Sequence, residues 1–268
     1  MQSILVLLLA LIISIATFFA VTSTFQPGSS LSTSTLSGNP IVIRNITYCN
    51  IDNYPEQMDI YIPSPNLSDS ADPVAMYVHG GGWINGSKTT DWEGVFPLLL
   101  SNGFIVASID YFMPLPSPAF PLNVEDLACA ARFLRSNAAH YHIDPNHIGL
   151  LGDSAGGNLV SLEALAAING SFDKVGQYTN YSSQVQAVVD AFGPANLTDP
   201  SFNQNSIATR YTSNDINLTQ FVFGGSYANL ISASPTSYAS SERAPPLPYS
   251  ARRERHPSST IAIGNALQ

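Results

Sequence analysis

The chain has 268 residues, 45% of them hydrophobic and only 11% charged, and carries a formal net charge of −9. That length supports one domain with a sizeable core, and the composition excludes an intrinsically disordered chain. Scarce Lys and Arg exclude a nucleic-acid partner held through its phosphate backbone.

The first 23 residues read as a signal peptide or signal anchor. From Ile4 to Val21 every residue is apolar or small, and no Lys or Arg occurs before Arg44. Such a run suits either a secretory segment cleaved after Ser23 or a short anchor. Residues 24–40 form a Ser/Thr-rich linker. Seven Asn-x-Ser/Thr sequons agree with passage through the secretory pathway. Asn45, Asn66, Asn169, Asn180, Asn196 and Asn217 are glycosylation candidates, whereas Asn85 lies beside a glycine-rich loop and is expected to stay bare. The two cysteines, Cys49 and Cys129, allow one disulfide; a buried free thiol suits the apolar surroundings of Cys129 at least as well.

Beyond the linker, strand and helix signals alternate. Ile41–Tyr48 and Met58–Ile62 predict an antiparallel lead-in. Pro73–His79, Gly103–Asp110, His147–Gly152 and Gln184–Asp190 are short β-rich runs bounded by turn residues. Asn123–Asn137 and Gly156–Ile168 carry apolar residues at helical spacing. Alternation of this kind predicts an α/β fold, a mostly parallel sheet with helices on both faces.

Two motifs carry chemistry. Gly152-Asp153-Ser154-Ala155-Gly156 places a serine between a predicted strand and a predicted helix. A serine hydroxyl is a weak nucleophile unless the backbone presents it to a base, and a tight strand-to-helix turn with small flanking residues does so. The turn also aims the Ala155 N–H and the helix N-terminus at developing negative charge. His79-Gly80-Gly81-Gly82-Trp83 follows another predicted strand. Consecutive glycines let the backbone approach a substrate carbonyl, so Gly81 and Gly82 join Ala155 as candidate oxyanion donors. His79 is expected to brace the loop rather than act as a base, and Asp153 to support the turn.

The pair HGGGW and GDSAGGN, with Asp110-Tyr111 between them, resembles the HGGG-type carboxylesterases and lipases, similar to hormone-sensitive lipase and arylacetamide deacetylase. The resemblance covers roughly residues 60–241, including Asp190–Leu197 and Ser234–Ser240. It implies the α/β-hydrolase fold and ester hydrolysis through an acyl-enzyme on Ser154, on a small-molecule or lipid ester. Phe112 departs from it, since relatives usually carry Arg after the Asp-Tyr pair. The resemblance also implies a triad in the order Ser, acid, His, with the acid in an H-G-x-x-D motif.

No such motif follows Ser241, so residues 41–243 read as an incomplete domain with its last strands missing. Residues 244–268 are an anomalous tail rich in Arg, and a frameshift accounts for it. Read one nucleotide later, the codons for Leu247 to Arg255 can spell Phe-Leu-Ile-Leu-His-Gly-Glu-Asn-Asp. Without the missing strands, Gln184–Asp190 is expected to be an unpaired sheet edge. Asp190 and Asp199 are conceivable acids, His140, His142 and His147 are expected at the opposite end of the sheet, and nothing orients His256. The alternative is a catalytically inactive hydrolase-like binding protein. No metal ligand set, cofactor fingerprint or nucleic-acid site is expected, and a membrane partner only if the N-terminal segment is retained as an anchor.

Overall fold

A computed structural model describes residues 39–64, 70–113, 118–200, 218–239 and 263–265. The N-terminal segment, Asn66, Asn217, His256 and most of the tail lie outside the described residues.

The lead-in is a hairpin. Strands β1 (Ile41–Ile51) and β2 (Tyr54–Ile62) pair antiparallel across Asp52 and Asn53. Both turn residues have positive φ, 51° and 67°, as a two-residue hairpin turn matched to strand twist requires. Four further strands, β3 (Asp72–Val78), β4 (Ile105–Ile109), β5 (Ile143–Asp153) and β6 (Ala187–Ala191), pair in parallel with one another. β2 joins this block antiparallel to β4.

The tail supplies one more strand, β7 (Ile263–Asn265), antiparallel to β6. The sheet therefore has seven strands in the order β1-β2-β4-β3-β5-β6-β7. This corrects the expectation of an unpaired edge at Gln184–Asp190: β7 covers it. The strand also starts later than expected, at Ala187. The Arg135 guanidinium takes the carbonyls of Ser182 and Gln184 as hydrogen-bond acceptors, so these groups serve the guanidinium instead of a strand ladder.

Helices clothe the sheet because its strands are apolar on both faces, as parallel strands are. Successive residues point to opposite sides: Met76 and Val78 enter one core, Ala75 and Tyr77 the other. On the first face lie α2 (Leu122–Ser136) and α4 (Ala155–Ala166), with Leu127, Leu134, Leu159 and Leu162 buried. On the second, α1 (Val95–Ser101) brings Phe96, Leu99 and Leu100 against Tyr77 and Val106. Three short helices complete the described chain: α3 (Ala138–Tyr141), α5 (Leu218–Phe223) and α6 (Tyr227–Ser232).

Cys49 and Cys129 form a disulfide, with Cα atoms 6.1 Å apart and a sequence separation of 80. It ties β1 to the middle of α2, which decides between the two readings of Cys129. Close by, the fully buried Arg132 donates to the carbonyls of Gln177 (3.1 Å) and Asp173 (2.8 Å) and pairs with the Asp173 carboxylate. One α2 side chain thus holds the whole turn at 173–177. Phe112 is buried and meets Tyr54 edge to face, with ring centroids 4.6 Å apart.

Candidate active site

β5 ends at Asp153 and α4 begins at Ala155, leaving Ser154 alone on the turn with φ 52° and ψ −114°. A non-glycine residue there carries strain of about 1–3 kcal/mol and persists only where its surroundings enforce it. They do so on both sides. The Ser154 N–H donates to the Ala191 carbonyl at 2.9 Å, and the Ser154 carbonyl accepts from Asn158 N–H at 3.0 Å.

Small residues make this approach possible. A Cβ on Gly152 would strike the backbone of Gly156, and one on Gly156 would strike the carbonyls of Val78 and His79. Gly157 is pressed equally hard against Asp190 and Gly193. The sequence pattern pointed to Gly152 and Gly156; the roles of Gly157 and Gly193 depend on the packing of α4 against the segment after β6.

The HGGGW segment leaves the end of β3 beside this turn. Gly81 (φ 119°), Gly82 (φ 64°) and Trp83 (φ 61°) all lie at positive φ. The Gly81 carbonyl turns inward and accepts from Ile84 (3.3 Å) and Asn85 (3.1 Å). Among the described residues the N–H groups of Gly81 and Gly82 have no hydrogen-bond partner. Ala155, the first residue of α4, likewise has an N–H with no intrahelical acceptor.

Asp153 couples the two motifs. Its Oδ1 accepts from Tyr77 Oη at 2.7 Å and from Gly80 N–H at 3.1 Å. The carboxylate beside the nucleophile is therefore the anchor of the glycine loop, 73 residues earlier in the chain. His79 is fully buried, its ring stacked on Tyr111 at 4.4 Å and its Nδ1 2.7 Å from the Gly80 carbonyl. Tyr111 Oη donates to the His79 carbonyl at 3.0 Å. Burial pushes the His79 pKa down, so the ring is neutral and donates to Gly80. Its polar contacts are thus with the loop itself.

The far end of the loop is closed by Lys88, whose N–H and Nζ both reach the Asp110 carboxylate, at 2.6 and 2.9 Å. Trp83 packs edge to face on Phe223 of α5 at 5.4 Å. Neither Lys88 nor Phe223 stands out in the sequence, because each acts through a partner distant in the chain. Asn158 Nδ2 donates to the carbonyls of Pro194 (2.9 Å) and Ala233 (3.2 Å). Ser234 Oγ accepts from Leu197 N–H at 2.9 Å, so the 190–197 and 234–240 stretches meet over α4.

Other candidates are placed elsewhere. Asp190 lies beneath α4, accepting from Gly193 N–H (2.6 Å) and Ser161 Oγ (2.7 Å), and burial raises its pKa to about 6. It is a strut between β6 and α4. His140, His142 and His147 sit at or before the start of β5, the end of the strand opposite Ser154. His147 Nδ1 contacts Asp144 there at 2.6 Å. Among the described residues, then, the only histidine at the Ser154 end of the sheet is His79, and its ring is committed to the loop. The same residues contain no cluster of three or more His, Cys, Asp or Glu able to hold a metal.

A strained serine between a parallel strand and a helix, tied to a glycine loop through its neighbour Asp153, is the arrangement of the α/β-hydrolase fold. The chain belongs to the BD-FAE family, whose model matches residues 58–250. Carboxylesterase NlhH of Mycobacterium tuberculosis is 32% identical over 166 residues, covering 62% of this chain and 48% of that protein. A bifunctional GH43-CE protein of Bacteroides eggerthii superposes with a TM-score of 0.61 at 28% identity, covering 74% of this chain and 29% of its own. A hyperthermophilic esterase of Pyrobaculum calidifontis gives 0.56 at 25%, covering 75% and 62%. The chain thus spans about half the length of the curated relative described.

Proposed function

We propose that this protein is a serine hydrolase of carboxylic esters, acting on small-molecule or lipid esters through an acyl-enzyme on Ser154. Ser154 Oγ attacks the ester carbonyl while a histidine base accepts its proton. The carbonyl oxygen becomes an oxyanion held by the N–H groups of Gly81, Gly82 and Ala155. Collapse of the tetrahedral species expels the alcohol, which takes up the proton from the base. Water then attacks the acyl-enzyme, and the carboxylic acid leaves. The observation that carries this reading is the Ser154 turn, held in strain next to unpartnered N–H groups and tied to the glycine loop through Asp153.

The orienting acid belongs, in this proposal, to the H-G-x-x-D stretch encoded in the alternative frame of codons 247–255, and the histidine base to a loop later in that frame. The chain enters the secretory pathway through residues 1–23. Two preparations test the catalytic part: the 268-residue chain and its counterpart read in the alternative frame, each compared with Ser154→Ala on a short-chain p-nitrophenyl ester. The alternative-frame protein is expected to turn over, and to lose about 10⁴–10⁶-fold in kcat on Ser154→Ala. The 268-residue chain is expected to be slower than its counterpart by a similar factor. Equal rates with and without Ser154 in both preparations would make the protein a binder on a hydrolase scaffold.

A further inference from the structure

The sequons are not equivalent once folded, and one of them sits in a feature built around it. Between Ile43, which faces Ile60, and Ile46, which faces Met58, the register of β1 slips, so Arg44 and Asn45 both stand against the single residue Asp59. This is a β-bulge. Buried Asp59 holds it open: Oδ1 accepts from Asn45 N–H at 2.8 Å, and Oδ2 accepts from Arg44 Nη1 at 3.0 Å. Asn45 takes φ 56°, and its side chain is exposed. Thr47, which completes the sequon, is exposed as well, while Ile46 between them packs against the core.

Asn180-Tyr181-Ser182 is exposed throughout, on a turn closed by Tyr181 N–H donating to the Tyr178 carbonyl at 2.9 Å, and Asn169 and Ser171 of a further sequon are exposed as well. Two others are sterically unsuited. The Asn196 side chain folds back to accept from Thr198 N–H (3.0 Å) and Oγ1 (2.7 Å), and the next residue, Leu197, is fully buried. The Asn85 backbone is part of the turn that closes on Gly81, so a glycan there would stand over the glycine loop. The Cys49–Cys129 disulfide independently points to an oxidising compartment, where N-glycans are added.

We propose that Asn45 and Asn180 are N-glycosylation sites, that Asn85 and Asn196 stay bare, and that the Asn45 glycan shields the open edge of the sheet. Among the described residues β1 is the outermost strand, and at Asn50 the Gln177 side chain takes up its outer backbone groups. Exposed edges of this kind recruit strands from other molecules, and bulges and bulky polar groups prevent it. The bulge and the glycan act at the same residue.

This inference rests on passage through the secretory pathway, and one experiment separates the two. The full chain is translated with microsomal membranes, and protease protection reports whether it enters the lumen. The protected chain is then released from N-glycans by peptide N-glycosidase in heavy-oxygen water, and peptide mass mapping reports which asparagines were converted. Label at Asn45 and Asn180, with none at Asn85 or Asn196, is expected. A protected chain without label at Asn45 overturns the site assignment while leaving luminal entrance intact; an unprotected chain overturns both. Shielding is read separately by light scattering of secreted chains. Asn45→Gln should aggregate several-fold faster than wild type, whereas Thr47→Ser, which keeps the sequon, should not. Equal scattering from Asn45→Gln and wild type overturns the shielding role.

Discussion

Ser154 is the residue at which local preference and structure disagree most plainly. An isolated chain would not place serine at φ 52° and ψ −114°; the hydrogen bonds to Ala191 and Asn158 hold it there. Glycine tolerates this region, so Ser154→Gly should raise stability by about 1 kcal/mol while Ser154→Ala, which keeps a Cβ, should not. Urea melts of the two variants side by side would check this, and equal midpoints would mean that the turn is unstrained. The serine and its small neighbours were legible in sequence because the turn needs those residue types in a fixed local order. Asp153 was legible only as a turn residue. Its bonds to Tyr77 and Gly80 arise from neighbouring strands, and no local pattern encodes them.

Among elements, α4 carries a buried carboxyl group that sets a pH dependence. Glu163 is fully buried, with Ser183, Asp173 and Arg132 nearby and neither of its carboxyl oxygens in a hydrogen bond among the described residues. Burial raises its pKa to about 8, opposed in part by Ser183 and Arg132. The folded protein therefore keeps a proton that the unfolded chain, with a glutamate pKa of about 4.3, releases. Stability is full below about pH 4.3 from this group and falls as pH rises toward 8. Glu163→Gln should remove that slope and leave the variant more stable at pH 8 by on the order of a few kcal/mol. Thermal melts from pH 5 to pH 8 would show it, and parallel wild-type and variant curves would refute it.

The element boundaries follow the same division between local and distant causes. Helices α2 and α4 were readable from their apolar spacing. The late start of β6 was not, since Arg135 reaches its upstream carbonyls from another helix. The disulfide was equally hidden: two cysteines permit a bridge, but only the packing of β1 on α2 brings them together. Replacing both with alanine should lower stability by about 2–5 kcal/mol, because the bridge closes an 80-residue separation in the unfolded chain. Guanidinium melts of the double variant and of the reduced wild type should agree; an unchanged midpoint would show that the bridge contributes nothing.

For the whole molecule, the sheet protects its two edges by different means. At one side stands the bulged strand β1; at the other, the short strand β7 lies on β6. Composition and alternation made the parallel block legible from sequence, and the hairpin before it. They carried no sign of β7, whose residues Ile263-Gly264-Asn265 have no alternating pattern. A chain ending at residue 260 should bare β6 and aggregate with a steep dependence on concentration. Static light scattering against the full chain would measure this, and an equally monodisperse shortened chain would place the protection elsewhere.

The position of the Cys49–Cys129 bridge also decides how the protein responds to a mechanical load. Were β1 pulled away from β2 at Ile41, its pairs with β2 would open in turn toward Cys49. At Cys49 the force leaves the backbone ladder and passes through a covalent bond into the middle of α2. That bond lies between the start of the outer strand and the strands that hold the Ser154 turn.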